Sequence, residues 1–311
     1  MSSTPKLAWD DLPPHLHRRI EDEVGGPVVE ALVQEAGFSP GAPLRLRLGT
    51  GERAFVKAAT ADINADTVAM YRREAQIGKV LPPLPEVPAL RTWFEDPPWV
   101  VLIFEDVDGV RPAAPWVREE LQQVIDALGH LSDRITPTPV PGLGSVVDKL
   151  RDHYEGWTKL ADDPRRLALV DHDGWLGDHL DGLRRVAADW EVVAAGDSLL
   201  HADLRSDQLL LAGQRVFVVD WAHACVGDAV VDPFLFFPSV VLEGGPPLEE
   251  LISMSPRTCV APDGDLVALA SAAASYFIER STLPPPPGLP TVRDFQRRQG
   301  TVLLDWLRTR L

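Results

Sequence analysis

Apolar positions near the N-terminus recur at helical spacing. Leu16, Ile20 and Val24 fall at i, i+4 and i+8 within 13–24, with Pro13 and Pro14 at the start and Gly25-Gly26 at the end. That pattern predicts an amphipathic helix, begun by prolines and stopped by glycines, that packs as a lid on the segments after it. The period then shortens. Segments 28–36, 43–48 and 53–58 are alternating or continuously apolar, separated by Gly37-Phe38-Ser39-Pro40-Gly41 and Gly49-Thr50-Gly51, which predicts a three-stranded antiparallel meander. A helix is predicted over 65–81, with Val68, Tyr71 and Ala75 on one face and Arg72, Arg73 and Glu74 turned to the others. Segments 87–94 and 99–104 add two strands and complete a five-stranded sheet. Glu105-Asp106-Val107-Asp108-Gly109 then breaks the apolar run as a connector.

Beyond the connector the chain reads as mostly helical, with helical periodicity over 116–134, 146–159 and 174–194 and loops at 136–144 and 162–164. One hairpin interrupts it, 208–211 with 215–219, joined by Ala212-Gly213-Gln214. Helices resume over 247–253, 264–281 and 292–309, and the proline-rich 284–290 is a stiff connector. The alanine-rich 266–278 reads as a buried helix, too short to span a bilayer. The expected fold is α+β: a sheet lobe with its N-terminal helix over 1–104, a hinge over 105–112, and a helical lobe with a catalytic β-hairpin over 113–311.

With 311 residues, 45% of them apolar, the chain can bury a substantial core. A formal net charge of −16 disfavours nucleic acid and anionic membranes. The same field would attract a cationic metabolite, but acidity alone is more often the mark of an ordinary soluble protein. Two cysteines without C-x-x-C spacing suggest neither a disulfide framework nor a structural zinc site, and fit a reducing, cytoplasmic setting. The N-terminus has no secretory pattern.

The candidate chemistry lies in 199–233, which sets His201, Asp203, Gln208 and Asp220 around the hairpin. Phosphoryl transfer needs a carboxylate beside the attacking hydroxyl and oxygen ligands that hold Mg²⁺ against the phosphates. Asp203 suits the first task, and Asp220, after the apolar run 216–219, suits the second with the amide oxygen of Gln208. A His-x-Asp triplet alone arises by chance, and an aspartate often merely caps a turn. The order of triplet, amide, hairpin and strand-terminal aspartate favours the functional reading.

On these residues the chain resembles the aminoglycoside phosphotransferase and choline kinase group, which has the protein-kinase-like two-lobed fold. His201-Ala202-Asp203 and Val218-Val219-Asp220-Trp221 match the core motifs, and Gly227-Asp228 and Asp232-Pro233 match their continuation. Gln208 stands where the family usually has Asn, one methylene longer. The resemblance implies a kinase that moves the γ-phosphate of ATP or GTP, with Mg²⁺, onto an alcohol. Asp203 would be the catalytic base, Asp220 and Gln208 the metal ligands, and His201 a brace for the loop. Lys57, ending Ala54-Phe55-Val56-Lys57, would reach the α- and β-phosphates and pair with Glu74. Ser39 lies in the turn placed to cover phosphates, and the backbone from Glu105 to Val107 would read the purine. Asp228 and Asp232 could touch the loop or help the site, but Asp232, before Pro233, reads first as the cap of the next helix.

The turn around Ser39 and the Leu204-Arg205 pair look most like phosphotransferases of antibiotics or related secondary metabolites. The expected partners are a nucleoside triphosphate and a small hydroxyl-bearing acceptor of aminoglycoside, nucleoside or peptide type, with no nucleic acid and no membrane. Glu243, Glu249, Glu250, Asp263 and Asp265 would suit a polyamine sugar, and Trp157, Trp175, Trp190, Trp221 and Tyr276 a ring. Surface carboxylates and core aromatics are the simpler account of both sets. Two alternatives stand beside the kinase. Gln208 motivates a nucleotide-binding pseudokinase without turnover, and His15, His17, His201 and His223 motivate a metal hydrolase, although no H-E-x-x-H is present.

Overall fold

The computed structural model describes residues 6–34, 40–286 and 289–311. In chain order its elements are α1 (Pro14–Val24), β1 (Val28–Val33), β2 (Ala42–Leu48), β3 (Arg53–Thr60), α2 (Ala65–Val80), β4 (Leu90–Asp96) and β5 (Trp99–Glu105). Then come α3 (Arg118–Arg134), α4 (Val146–Leu150), α5 (Gly156–Ala161), α6 (Pro164–Leu167), α7 (Trp175–Ala187), α8 (Trp190–Ala194) and β6 (Ser198–Leu200). The last elements are β7 (Leu209–Ala212), β8 (Arg215–Val218), β9 (Cys225–Gly227), α9 (Val231–Leu242), α10 (Leu248–Met254), α11 (Asp263–Ser281) and α12 (Val292–Leu307). They form two compact units, one of Met1–Arg111 with Asp207–His223, the other of Pro112–Ser206 with Ala224–Leu311.

In the first unit α1 buries the stripe expected of it, Leu16, Ile20 and Val24, and Gly25 ends the helix at a left-handed φ of 87°. That stripe joins Leu44, Leu46, Leu48, Val56 and Ile103 in one apolar cluster on the sheet. Full burial of a leucine or isoleucine there contributes about 1.5–3 kcal/mol. The sheet order is β1-β2-β3-β5-β4, with every neighbouring pair antiparallel. Because Val100, Val101, Leu102 and Ile103 are buried on both faces, β5 takes a central place and the more polar β4 the edge. Alternation along β3 turns Ala54, Val56 and Ala58 to the α1 cluster, while Ala59 packs with Val68, Tyr71 and Ala75 of α2. Lys57, level with Leu102, therefore faces α2.

The hairpin of β7 and β8 belongs to this same unit. Val110 and Leu211 exchange backbone hydrogen bonds, and the Val218 N–H donates to the Glu86 carbonyl at 2.7 Å.

In the second unit α11 is alanine-rich and buried all round, as its composition predicts, and it touches α5, α7, α8, α9 and α12. Contact with α5 is close enough that a β-carbon on Gly156 would stand 2.0 Å from the Ser275 carbonyl oxygen. The buried Trp157 Nε1 donates to Ser271 Oγ at 3.1 Å, which in turn donates to the Leu183 carbonyl at 2.8 Å. The continuous helix predicted over 146–159 is instead two short helices, α4 and α5, and the turn between them brings Gly156 against α11. Likewise 174–194 divides into α7 and α8. The antiparallel pair β6 and β9 has three residues per strand, too few to leave a periodic signal. Among the described residues no helix is long and apolar enough to cross a membrane.

Candidate functional site

Three of the sequence-predicted residues meet in the first unit. Lys57 Nζ on β3 donates to Glu74 Oε2 on α2 at 2.6 Å and also bonds Asp220 Oδ1, while standing 5.0 Å from the centre of the Tyr71 ring. The Lys57 and Glu74 side chains are 9% and 5% exposed, so each charge is stripped of water and depends on its partner. Burial by itself pulls the Lys57 ammonium down, but the Asp220 and Glu74 carboxylates reverse that and hold it above an ordinary lysine. Glu74 feels burial more than the lysine, and its carboxyl is pushed up to about 7. Burial also raises the Tyr71 phenol, which stays neutral.

Asp220 follows β8 at a left-handed φ of 68°. For a residue with a β-carbon that conformation costs of order 1–3 kcal/mol and persists only where its surroundings enforce it. The enforcing contacts are local. The Val219 N–H donates to the Gln208 carbonyl at 2.9 Å, closing the base of the hairpin, and the Trp221 indole donates to the Val218 carbonyl at 3.0 Å. Gln208 and Asp220 thus flank one rung, the amide side chain buried and the carboxylate 42% exposed. One carboxylate and one neutral amide oxygen suit Mg²⁺, which keeps water and phosphate for its remaining positions, so the donor set fits the ion the resemblance implies. Among the described residues no group of three or more His, Cys, Asp or Glu is placed to hold a metal ion, which leaves the hydrolase alternative without a ligand set there.

At the end of β5 the Glu105 N–H donates to the Ala89 carbonyl at 2.9 Å. The side chain between the two expected base-reading residues, Asp106, is 3% exposed and turned onto Arg45 of β2 and Arg53 of β3, each at 2.7 Å. Nothing in the apolar pattern singled these three out, because two arginines on strands read as ordinary solvated positions.

In the second unit the loop after β6 carries Asp203. Its N–H donates to His201 Nδ1 at 3.3 Å, and its carboxylate accepts from Arg205 Nη1 at 2.8 Å. His201 is buried, and Ala202 takes a left-handed φ of 59°. Asp232, expected to cap the next helix, does not do so. The N-cap of α9 is Val230, and Asp232 lies inside the first turn, where its Oδ2 accepts the His201 N–H at 2.6 Å and its Oδ1 the Ala202 N–H at 2.9 Å. Burial pushes the Asp232 carboxyl up, against His201 and the two amides that favour its charge. The turn-capping part falls to Asp228, which accepts the Val230 N–H at 2.9 Å. An aspartate before a proline looks alike in sequence whether it caps its own helix or braces a distant loop.

Ser39 lies outside the described residues. Three acidic side chains of the later helices are engaged within their own unit: Glu249 and Asp263 with Arg310 at 2.5 and 3.3 Å, and Glu250 with Arg118 at 2.5 Å. Glu243 accepts from Trp116 Nε1 at 3.1 Å and from Ser206 Oγ at 2.7 Å. Trp157, Trp190 and Trp221 are core aromatics.

A family model described as the phosphotransferase enzyme family matches residues 42–254. No curated protein matches the sequence. Among solved structures, an aminoglycoside phosphotransferase from Alicyclobacillus acidocaldarius subsp. acidocaldarius DSM 446 aligns over 96% of this chain and 96% of its own, at 13% identity and a TM-score of 0.56. An amicoumacin kinase in complex with AMP-PNP and Ca²⁺ aligns over 93% of each chain, at 11% identity and a TM-score of 0.55. A choline/ethanolamine kinase family protein from Mesorhizobium loti aligns over 90% of this chain and 88% of its own, at 16% identity and a TM-score of 0.54. At such identities the likeness is one of fold, and that fold is the kinase-like α+β fold.

Proposed function

Since the chain belongs to the phosphotransferase enzyme family, we propose that it moves the γ-phosphate of ATP or GTP to a hydroxyl of a small molecule, an antibiotic of aminoglycoside, nucleoside or peptide type or a related metabolite. The observation that carries this reading is the sharing of the Lys57 ammonium between Glu74 and Asp220. Lys57 engages the α- and β-phosphates as a cation already oriented by Glu74, so little side-chain freedom is lost when nucleotide binds. Asp220 and Gln208 would hold Mg²⁺. When bound, that ion neutralises and aligns the phosphate oxygens. Asp203 takes the acceptor's proton as the new O–P bond forms and the nucleoside diphosphate leaves. Arg205 fixes the carboxylate of Asp203, and Asp232 fixes the loop that presents it.

In this proposal 1–104 clamps the nucleotide, 105–112 reads the base, and 113–311 supplies the catalytic loop and the acceptor pocket. The AMP-PNP complex of the amicoumacin kinase supports ATP as donor. The names of the similar structures support a small-molecule acceptor, and a net charge of −16 would attract a cationic one. The test is a coupled assay of nucleoside diphosphate release with ATP or GTP and Mg²⁺ across a panel of hydroxyl-bearing antibiotics and metabolites, with Asp203→Ala as the blank. Acceptor-dependent release that vanishes in the blank supports the proposal. Nucleotide binding without release across the panel contradicts it.

A further inference from the structure

The connector after β5 is held by an ion cluster that the functional reading does not use. Arg45 makes a two-point contact with Asp106, Nε to Oδ1 at 2.7 Å and Nη2 to Oδ2 at 3.0 Å, and Arg53 Nε reaches Oδ2 at 2.7 Å. The Asp106 side chain is 3% exposed, so this carboxylate depends on the two guanidinium groups for its solvation. Asp108, 83% exposed, adds only long contacts of 3.5 and 3.4 Å to the same arginines.

Arg45 does more than pair with a carboxylate. Its Nη2 also donates to the Val107 carbonyl at 3.0 Å, and that carbonyl accepts the Gly109 N–H at 2.9 Å as well. A carbonyl oxygen has two lone pairs, and here both are taken. Val107 is thus left to offer a purine its N–H, a donor.

Resting on the proposal that the Glu105 to Val107 backbone reads the purine, we infer that Arg45 determines the choice of nucleotide, favouring adenine over guanine. The Watson–Crick edge of adenine presents an acceptor at N1, which a backbone N–H satisfies. Guanine presents N–H donors at N1 and N2, which would face the Val107 N–H with the Val107 carbonyl already occupied. Releasing that carbonyl lets the segment accept from guanine. Arg45 therefore acts on the donor through the backbone of Val107, as a positioning residue.

The experiment is equilibrium binding of Mg·ATP and Mg·GTP analogues to the full chain, with thermal denaturation of each variant alongside. The wild type is expected to bind the adenine nucleotide roughly tenfold or more tightly, the scale set by one unpaired buried polar group. Arg45→Met is expected to shrink that ratio by about fivefold or more, the same polar-group scale, whereas Arg53→Gln, which loosens Asp106 but does not touch Val107, keeps it. If Arg45→Met does not fold, Arg45→Lys carries the same expectation, since one ammonium cannot span both carboxylate oxygens and the carbonyl. Equal or reversed preference in the wild type, or an unchanged ratio in the Arg45 variants, overturns the inference while leaving the phosphotransferase reading intact. Binding of neither nucleotide by the wild type overturns both.

Discussion

Lys57 and Glu74 meet at 2.6 Å between strand β3 and helix α2, both nearly dry, while the same ammonium also holds Asp220 beyond the hairpin. One cation thus serves two carboxylates, and the more deeply buried of them bears the cost. Burial pushes Glu74 up to about 7. For an acid raised in the folded state, stability is fully present below its unfolded pKa and is lost as pH rises through the folded one.

The first prediction rests on that sign. Wild type should lose stability relative to Glu74→Gln as pH rises from about 4.5 to about 7, by roughly 1–3 kcal/mol. Urea denaturation of both proteins at pH 5 and pH 8 checks it, and parallel pH dependences would contradict it.

Asp203 and Asp220 should fail differently. Asp203→Asn is expected to lower kcat by about 10²–10⁴-fold, the range of a lost general base, with nucleotide affinity nearly unchanged. Asp220→Asn is expected to weaken binding of the metal–nucleotide complex and to raise the Mg²⁺ concentration needed for half-maximal rate. Titrations of Mg²⁺ and nucleotide against initial rate separate the two, and identical profiles would refute the division of roles.

Removal of Asp232 exposes what the loop depends on. Asp232→Ala leaves the His201 and Ala202 amides without their acceptor, at a cost of about 1–3 kcal/mol for each buried group. Asp232→Asn keeps one acceptor oxygen and should fall between wild type and Asp232→Ala in chemical denaturation. Equal stability of all three would place the loop's support elsewhere.

Much of this was legible in the chain. The i, i+4, i+8 spacing of Leu16, Ile20 and Val24 specified α1 and its buried face, and the alternation along 53–58 set Lys57 opposite Val56 on β3. The ordered string from His201 to Asp220 carried the family resemblance. What was not legible depends on partners distant in sequence. Asp232 braces amides 31 and 30 residues away, and Arg45 finds Asp106 across 61. No local period records such pairs. The break between α4 and α5 goes with tertiary packing in the same way, since it accompanies the close approach of Gly156 to α11, which helical spacing does not show.

The lid helix offers a stability test independent of chemistry. Leu16→Ala should cost about 2–5 kcal/mol, because a fully buried side chain leaves a cavity between α1 and the sheet. Chemical denaturation checks this, and a loss below ~0.5 kcal/mol, the level of a surface substitution, would mean that α1 is not part of the core of its unit.

The central claim is transfer of a phosphoryl group to a small-molecule hydroxyl with Asp203 as the proton acceptor. Mass spectrometry of acceptor candidates after incubation with γ-¹⁸O-labelled ATP and Mg²⁺ tests it most directly. Labelled phosphate should appear on an acceptor with wild type and be absent with Asp203→Ala. Label found only in inorganic phosphate, or retained entirely in ATP across the panel, would contradict the account.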